Sequence, residues 1–222
     1  MSQLSRIRQI GPKEIEQESF AIIEQELRSR QITLPGQQAA VTMRVIHTSA
    51  DFDYAHTMRY SENAVAIARG LLQSGAVIVT DTNMALAGIN KKKLATLGAS
   101  AQCFMADEDV ARQAQQRGIT RAAVSMEKAS KIRKPVIFAI GNAPTALVRI
   151  YELMQEKSWR PAFIIGVPVG FVNVEPAKEL IMETDVPYIV NQGRKGGSNI
   201  AAAICNALLY GIDDREETDR HA

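Results

Sequence analysis

Two hydrophobic periods alternate along the chain. Between residues 12 and 30, Ile15, Phe20, Ile22, Ile23 and Leu27 recur near helical spacing among glutamates and arginines, the pattern of an amphipathic helix with one buried stripe. Ala39–Ile46 is rich in β-branched residues and predicts a strand that ends at His47. After the acidic turn Asp51–Asp53, residues 61–73 predict a helix stopped by Gly75. The continuously apolar runs Ala76–Thr80, Pro135–Ile140 and Ala162–Val167 predict buried strands, and Gln102–Met105 and Tyr188–Val190 two more. Between and after them, helices are predicted at Asn83–Gly88, Glu108–Arg117 (ended by Gly118), Val124–Ile132, Thr145–Lys157, Pro176–Glu183 and Ser198–Tyr210. Short apolar strands alternating with helices imply an α/β fold, a single domain with a mostly parallel sheet and helices on both faces. That domain is expected over residues 1–211. Residues 212–222, polar from Asp213 onward, are expected to form a disordered tail.

Composition narrows the function classes. A chain of 222 residues suits one substantial core. A net charge of +2 and 5 % aromatic residues provide neither an electrostatic footprint nor a stacking platform for nucleic acid. The longest apolar stretch, Ile200–Leu209, falls short of the roughly 20 residues that span a bilayer. The N-terminus lacks the apolar core of a signal peptide, so a cytoplasmic location is expected. Cys103 and Cys205 are far apart in sequence and form no CxxC motif, and are expected to be buried reduced thiols.

In open parallel sheets, ligands bind beyond the carboxyl ends of the strands. Four chemistry-bearing segments are predicted there: His47–Asp53, Gly141–Thr145 (GNAPT), Gly166–Phe171 (GVPVGF) and Gly193–Asn199 (GRKGGSN). In the last, Arg194 and Lys195 precede a helix whose first turn offers free N–H groups, a combination that attracts phosphate or carboxylate. Ser198 caps that helix or meets a ligand, and Asn142 and Thr145 stand in the same position around Pro144. Neither GxGxxG nor GK[ST] is present, so a nucleotide site has no motif behind it, and no GxSxG elbow points to acyl transfer. The cluster His47, Asp51, Asp53 and His56 lacks a standard metal-ligand spacing, and no metal site is expected. What remains is proton-assisted chemistry on an anionic ligand, with an anion-loop enzyme that uses phosphate or nucleotide as the alternative.

Six segments carry a resemblance. GNAPTAL (Gly141–Leu147), GVPVGFV (Gly166–Val172), GRKGGSNIAAAICNAL (Gly193–Leu208), RVIHTSADFD (Arg44–Asp53), ESFAII (Glu18–Ile23) and TRAAVSM (Thr120–Met126) occur here in order and with matching spacing. They resemble the signature segments of the precorrin-8X methylmutases. The resemblance implies an α/β homodimer without a separate cofactor that isomerises a corrin-pathway tetrapyrrole. Such an enzyme moves a methyl group from C11 to C12 of the ring, giving hydrogenobyrinate or cobyrinate. It places the active histidine at His47 and substrate contacts at Ser19 and Arg121; Asn90 stands where some relatives have threonine. A ring bearing several carboxylates needs apolar walls and scattered donors, for which GRKGGSN, GNAPT and Arg121 are candidates. HTSAD after the strand is closer to the cobalt-first branch, so cobalt is expected to arrive within the substrate. The rival within this resemblance is a tetrapyrrole carrier that hands the corrin on to other pathway enzymes, with His47 as a mere contact.

Overall fold

Every residue of Val77–Thr80, Val136–Ile140 and Phe163–Gly166 is buried, as expected of strands covered on both faces. The computed structural model describes residues 11–157 and 159–219. Helices α1 (Pro12–Ser29) and α2 (Gln38–Ser49) come first, then the short α3 (Tyr54–Thr57), strand β1 (Met58–Tyr60) and α4 (Ala64–Gln73). The alternating part runs β2 (Val77–Thr80), α5 (Asn83–Gly88), α6 (Lys91–Thr96), β3 (Ser100–Cys103), α7 (Glu108–Arg117), α8 (Arg121–Ala129) and β4 (Val136–Ile140). It closes with α9 (Pro144–Lys157), β5 (Phe163–Gly166), α10 (Val174–Met182), β6 (Tyr188–Asn191) and α11 (Ser198–Asp219).

The six strands form one sheet in the order β1-β6-β5-β4-β2-β3, parallel except for β1, which runs antiparallel to β6. Strand periodicity sends alternate residues into two cores. Ile78, Ile137, Phe163, Ile165 and Ile189 face α2, α4, α5 and α11. Val77, Val79, Phe138, Ile140 and Ile164 face α8, α9 and α10. The fold is thus the single α/β domain with helices on both faces that the pattern predicts.

Several local expectations differ; the short helices α3 and α6, for example, carry no predicted counterpart. The segment Ala39–Ile46 is not a strand but part of α2. Its buried positions Val41, Thr42, Val45 and Ile46 follow helical spacing, and packing against α11 overrides their β-branched preference. The Thr42 hydroxyl is satisfied at 2.8 Å by the Tyr60 hydroxyl. Strand β1 escapes local reading because three residues carry no period and its partner, β6, lies far along the chain. Helix α8 starts three residues before the predicted Val124, with Thr120 accepting the Ala123 N–H as its cap. Strand β3 lies two residues earlier than predicted. Beyond these, the backbone of α11 continues to Asp219, into the segment expected to be a tail. Extending an existing helix needs no new nucleus; residues 220–222 lie outside the described residues. Cys205 is buried as expected, whereas Cys103, at the end of an edge strand, is only half-buried. Among the described residues no helix is long and apolar enough to cross a membrane.

Candidate active site

His47 occupies the last turn of α2, not the end of a strand. The chain nevertheless carries it toward the sheet's ligand edge. Met58 pairs with Asn191 and the Gln192 N–H donates to the Thr57 carbonyl at 2.9 Å, so the segment after α2 lies beside the carboxyl end of β6. Across from His47, Phe20 of α1 stacks on the imidazole with centroids 5.1 Å apart and planes at 26°. Phe20 is held in turn by the Arg44 guanidinium, 4.7 Å from its ring, which also pairs with Glu16 at 2.5 Å and approaches Tyr210 at 5.6 Å.

Between α1 and α2 lies an open cleft of about 460 Å³, lined by Ser19, Ile22, Ile23, His47 and Phe52 among others. The Ser19 hydroxyl donates to the Ile15 carbonyl at 2.7 Å, which leaves its oxygen lone pairs available. Among the described residues, nothing hydrogen-bonds to the His47 nitrogens. The cleft therefore offers an imidazole braced on one ring face and open at its polar atoms, with Ile22, Ile23, Ile46 and Phe52 around it and the Glu26–Arg30 ion pair at its wall. Asn90 connects to the same region. Its side chain caps α6 by accepting the Lys93 N–H, and its amide donates to the Tyr210 hydroxyl at 3.3 Å.

The glycine-bearing loops at the sheet edge are arranged differently. Asp81, directly after β2 and fully buried, accepts from the N–H groups of Gly141, Asn142 and Ala143 at 2.9, 2.8 and 2.6 Å. Burial raises its carboxyl above the ordinary range, and the three N–H bonds only partly counter that. The backbone donors before α9, expected to face a ligand, thus already hold an internal carboxylate. Gly141 is required by contact: a Cβ there would sit 2.7 Å from the Gly197 carbonyl oxygen. Ser198 shares a 2.8 Å hydrogen bond with Thr82, the cap of α5. The Asn142 side chain remains exposed.

Arg194 pairs with Glu175 at 2.9 Å and lies 5.7 Å from the ring of the exposed Phe171. Lys195 is gripped by Asp51 at 2.5 Å and Asp53 at 2.6 Å. Beneath them, Lys178 is fully buried and donates to the carbonyls of Gly193 and Lys195 at 2.6 and 2.8 Å. Burial pulls its ammonium down to about 8, against a small opposing effect of Glu175. Thr145 and Arg121 sit elsewhere. The Thr145 hydroxyl meets Thr120 at 3.0 Å in a cleft of about 300 Å³, and Arg121 lines another of about 650 Å³ with Glu108 and Arg112.

Of the predicted residues, the fold gathers Ser19, His47 and, through Tyr210, Asn90. It places Asn142, Arg194, Lys195 and Ser198 along the strand ends and leaves Thr145 and Arg121 in separate clefts. Asp81 and Lys178 went unpredicted, although each left a signal. Asp81 directly follows a wholly apolar strand, and Lys178 falls on the buried stripe Val174, Ala177, Ile181 of its helix.

The fold superimposes on a crystal structure of the precorrin-8X methyl mutase from Thermus thermophilus. The TM-score is 0.81 at 36 % identity, covering 90 % of this chain and 98 % of that one. Fold and sequence similarity thus define a methylmutase-type isomerase. Residues 14–211 match the family model described as precorrin-8X methylmutase. The chain is 42 % identical over 206 residues to the cobalt-precorrin-8 methylmutase of Salmonella typhimurium, covering 90 % of this chain and 95 % of the relative. It is 39 % identical over 213 residues to that of Leptospira interrogans, covering 92 % and 96 %. The chain belongs to the precorrin-8X methylmutase family, isomerases of cobalamin biosynthesis.

Proposed function

We propose that this enzyme moves a methyl group from C11 to C12 of cobalt-precorrin-8 to give cobyrinate, with His47 as proton donor and acceptor. The observation that carries the proposal is the imidazole itself, stacked on Phe20 in an open cleft beside Ser19 with no hydrogen bond from the described protein. In the shift, the C11–methyl bond breaks as the C12–methyl bond forms on the same ring face. Protonating the conjugated system makes C12 more electrophilic, and the proton returns to the imidazole afterwards. General acid–base help of this kind is worth roughly 10²–10⁴-fold in rate. The reaction needs no separate cofactor, and cobalt enters as part of the substrate.

Ser19, Asn90, Arg121, Asn142, Thr145, Arg194 and Ser198 are the proposed substrate contacts, supplying donors to the ring's carboxylates; Lys195, a candidate contact in the sequence, is set apart from them because Asp51 and Asp53 hold its ammonium. Arg121 and His47 line different clefts of one chain, which favours a homodimer in which the second copy completes the site. The cobalt form is favoured by HTSAD after α2's last apolar residues and by the names of the relatives at 39–42 % identity. A cytoplasmic enzyme that hands its product directly to the next corrin enzyme completes this reading.

The test is a titration of the purified protein with cobyrinate and hydrogenobyrinate, read by absorbance, alongside conversion of the precorrin. Stoichiometric binding, a spectrum altered in His47→Ala and conversion lost in that variant are expected. Binding without conversion would make the protein a carrier. No binding of either corrin at micromolar protein would overturn the assignment.

A further inference from the structure

We propose that Lys195 is a positioning residue for His47, acting through Asp51 and Asp53 and not by contact with substrate. The proposal rests on His47 being the proton-transfer group. Lys195 is anchored from below: its carbonyl accepts from Lys178 Nζ at 2.8 Å and from Asn191 Nδ2 at 2.8 Å. Its loop is further held where the Gly197 N–H donates to the Val167 carbonyl at 2.9 Å, and any Cβ on Gly196 would collide with that same carbonyl. The loop is therefore a fixed post.

From it, one ammonium reaches two carboxylates more than 140 residues away in sequence, Asp51 at 2.5 Å and Asp53 at 2.6 Å. Those carboxylates belong to the turn that ends α2. Ala50 closes the helix in the left-handed region at φ 54°, and Asp51 Oδ1 accepts the Asp53 N–H at 3.0 Å. The same turn contributes Ala50 and Phe52 to the wall of the His47 cleft. A second tie runs alongside, where Thr57 Oγ1 donates to Asn191 Oδ1 at 2.6 Å. Removing either the ammonium or the two carboxylates cuts this turn's ion-pair tie to the post, at the end of the helix that carries the imidazole. The turn would then open, and with it the orientation of His47 against Phe20.

A substrate contact and a positioning residue predict different kinetics. Lys195→Met and the pair Asp51→Asn/Asp53→Asn should each lower kcat about five- to tenfold with KM changed less than about threefold, as expected for lost alignment. Combining all three substitutions should cost no more than either alone, because they remove one interaction. Lys195→Arg should restore most of kcat. In the protein without substrate, the His47 imidazole signal in proton–carbon NMR, identified by its loss in His47→Ala, should move in Lys195→Met and return in Lys195→Arg. A raised KM with unchanged kcat would make Lys195 a substrate contact and overturn the proposal. So would multiplying losses in the triple variant, or an unmoved His47 signal. If the wild type shows no turnover while the NMR signal moves as expected, the functional reading fails and the catalytic part of this inference falls with it.

Discussion

The sequence places His47 and the glycine-bearing loops together at one sheet edge, yet the structure separates them into a cleft between α1 and α2 and a set of edge loops built on opposite plans. At the edge, the charged groups have internal partners: Asp81 takes three backbone N–H groups, Glu175 takes Arg194, and Asp51 and Asp53 take Lys195. In the cleft, an imidazole and a hydroxyl oxygen are left open beside Ile22, Ile23 and Phe52. Around Asp81 and Lys195 the glycine-rich loops are thus tied into the frame, whereas the cleft leaves imidazole nitrogens and a hydroxyl's lone pairs without a partner among the described residues. Groups with internal partners hold shape; open groups braced by neighbours can react.

The sharpest break of this comparison is His47→Ala. Turnover should fall by roughly 10²–10⁴-fold while the thermal midpoint hardly moves, since the half-buried ring carries no buried hydrogen bond. Steady-state kinetics with a melting curve checks both halves. Asp81→Ala should show the reverse ordering. Three N–H groups lose their acceptor, at about 1–3 kcal/mol for each one left unsatisfied. Urea unfolding should reveal a loss of about 3 kcal/mol or more, and any fall in kcat should track the unfolded fraction. A normal urea midpoint would show that water or a rearranged loop satisfies those donors.

Lys178 sharpens the contrast through pH. Its folded ammonium titrates near 8 against an ordinary value of 10.5, because burial disfavours the charge. Between those values the unfolded chain binds the extra proton, so this group makes stability rise with pH from about 8 to 10.5. Below 8 its contribution is flat. Comparing the pH dependence of urea midpoints in wild type and Lys178→Met isolates that slope, which should be absent in the variant.

The smallest effect belongs to the Lys195 clamp as a stability element. Burial works to raise the Asp51 carboxyl, but the Lys195 hydrogen bond, the Asp53 N–H and the Lys195 charge outweigh it and hold the group below its ordinary 3.8. Its stabilisation is therefore present above that value and lost as pH falls beneath it. Because the pair is solvent-exposed, the amount should stay below about 1 kcal/mol and shrink in high salt. A melting series in Asp51→Asn with and without 1 M salt would show it.

Legibility in the sequence followed the range of the interactions. Strands β2, β4 and β5 read correctly because a strand buried on both faces must be apolar at every position, whatever its neighbours. Helix α7 read correctly because Gly118, with φ 64°, is the residue that closes it. Helix α2 did not, because Val41, Val45 and Ile46 suit either state locally, and only α11 settles the matter. His47 was thereby found for its chemistry and its motif while being assigned the wrong kind of element. Pairings such as Lys195 with Asp51, or Asp81 with the loop before α9, have no local trace.

What the chain itself determined is the α/β architecture, the buried strands, the identity of the candidate histidine and the segments that mark its family. These depend on periods and motifs contained within a few residues. Which polar groups are left open, and which are filled from within, was decided only in three dimensions. Satisfying a buried donor or carboxylate depends on what the fold brings within about 3 Å, and those partners lie from 15 residues away, for Lys178 and Gly193, to more than 140, for Lys195 and Asp51.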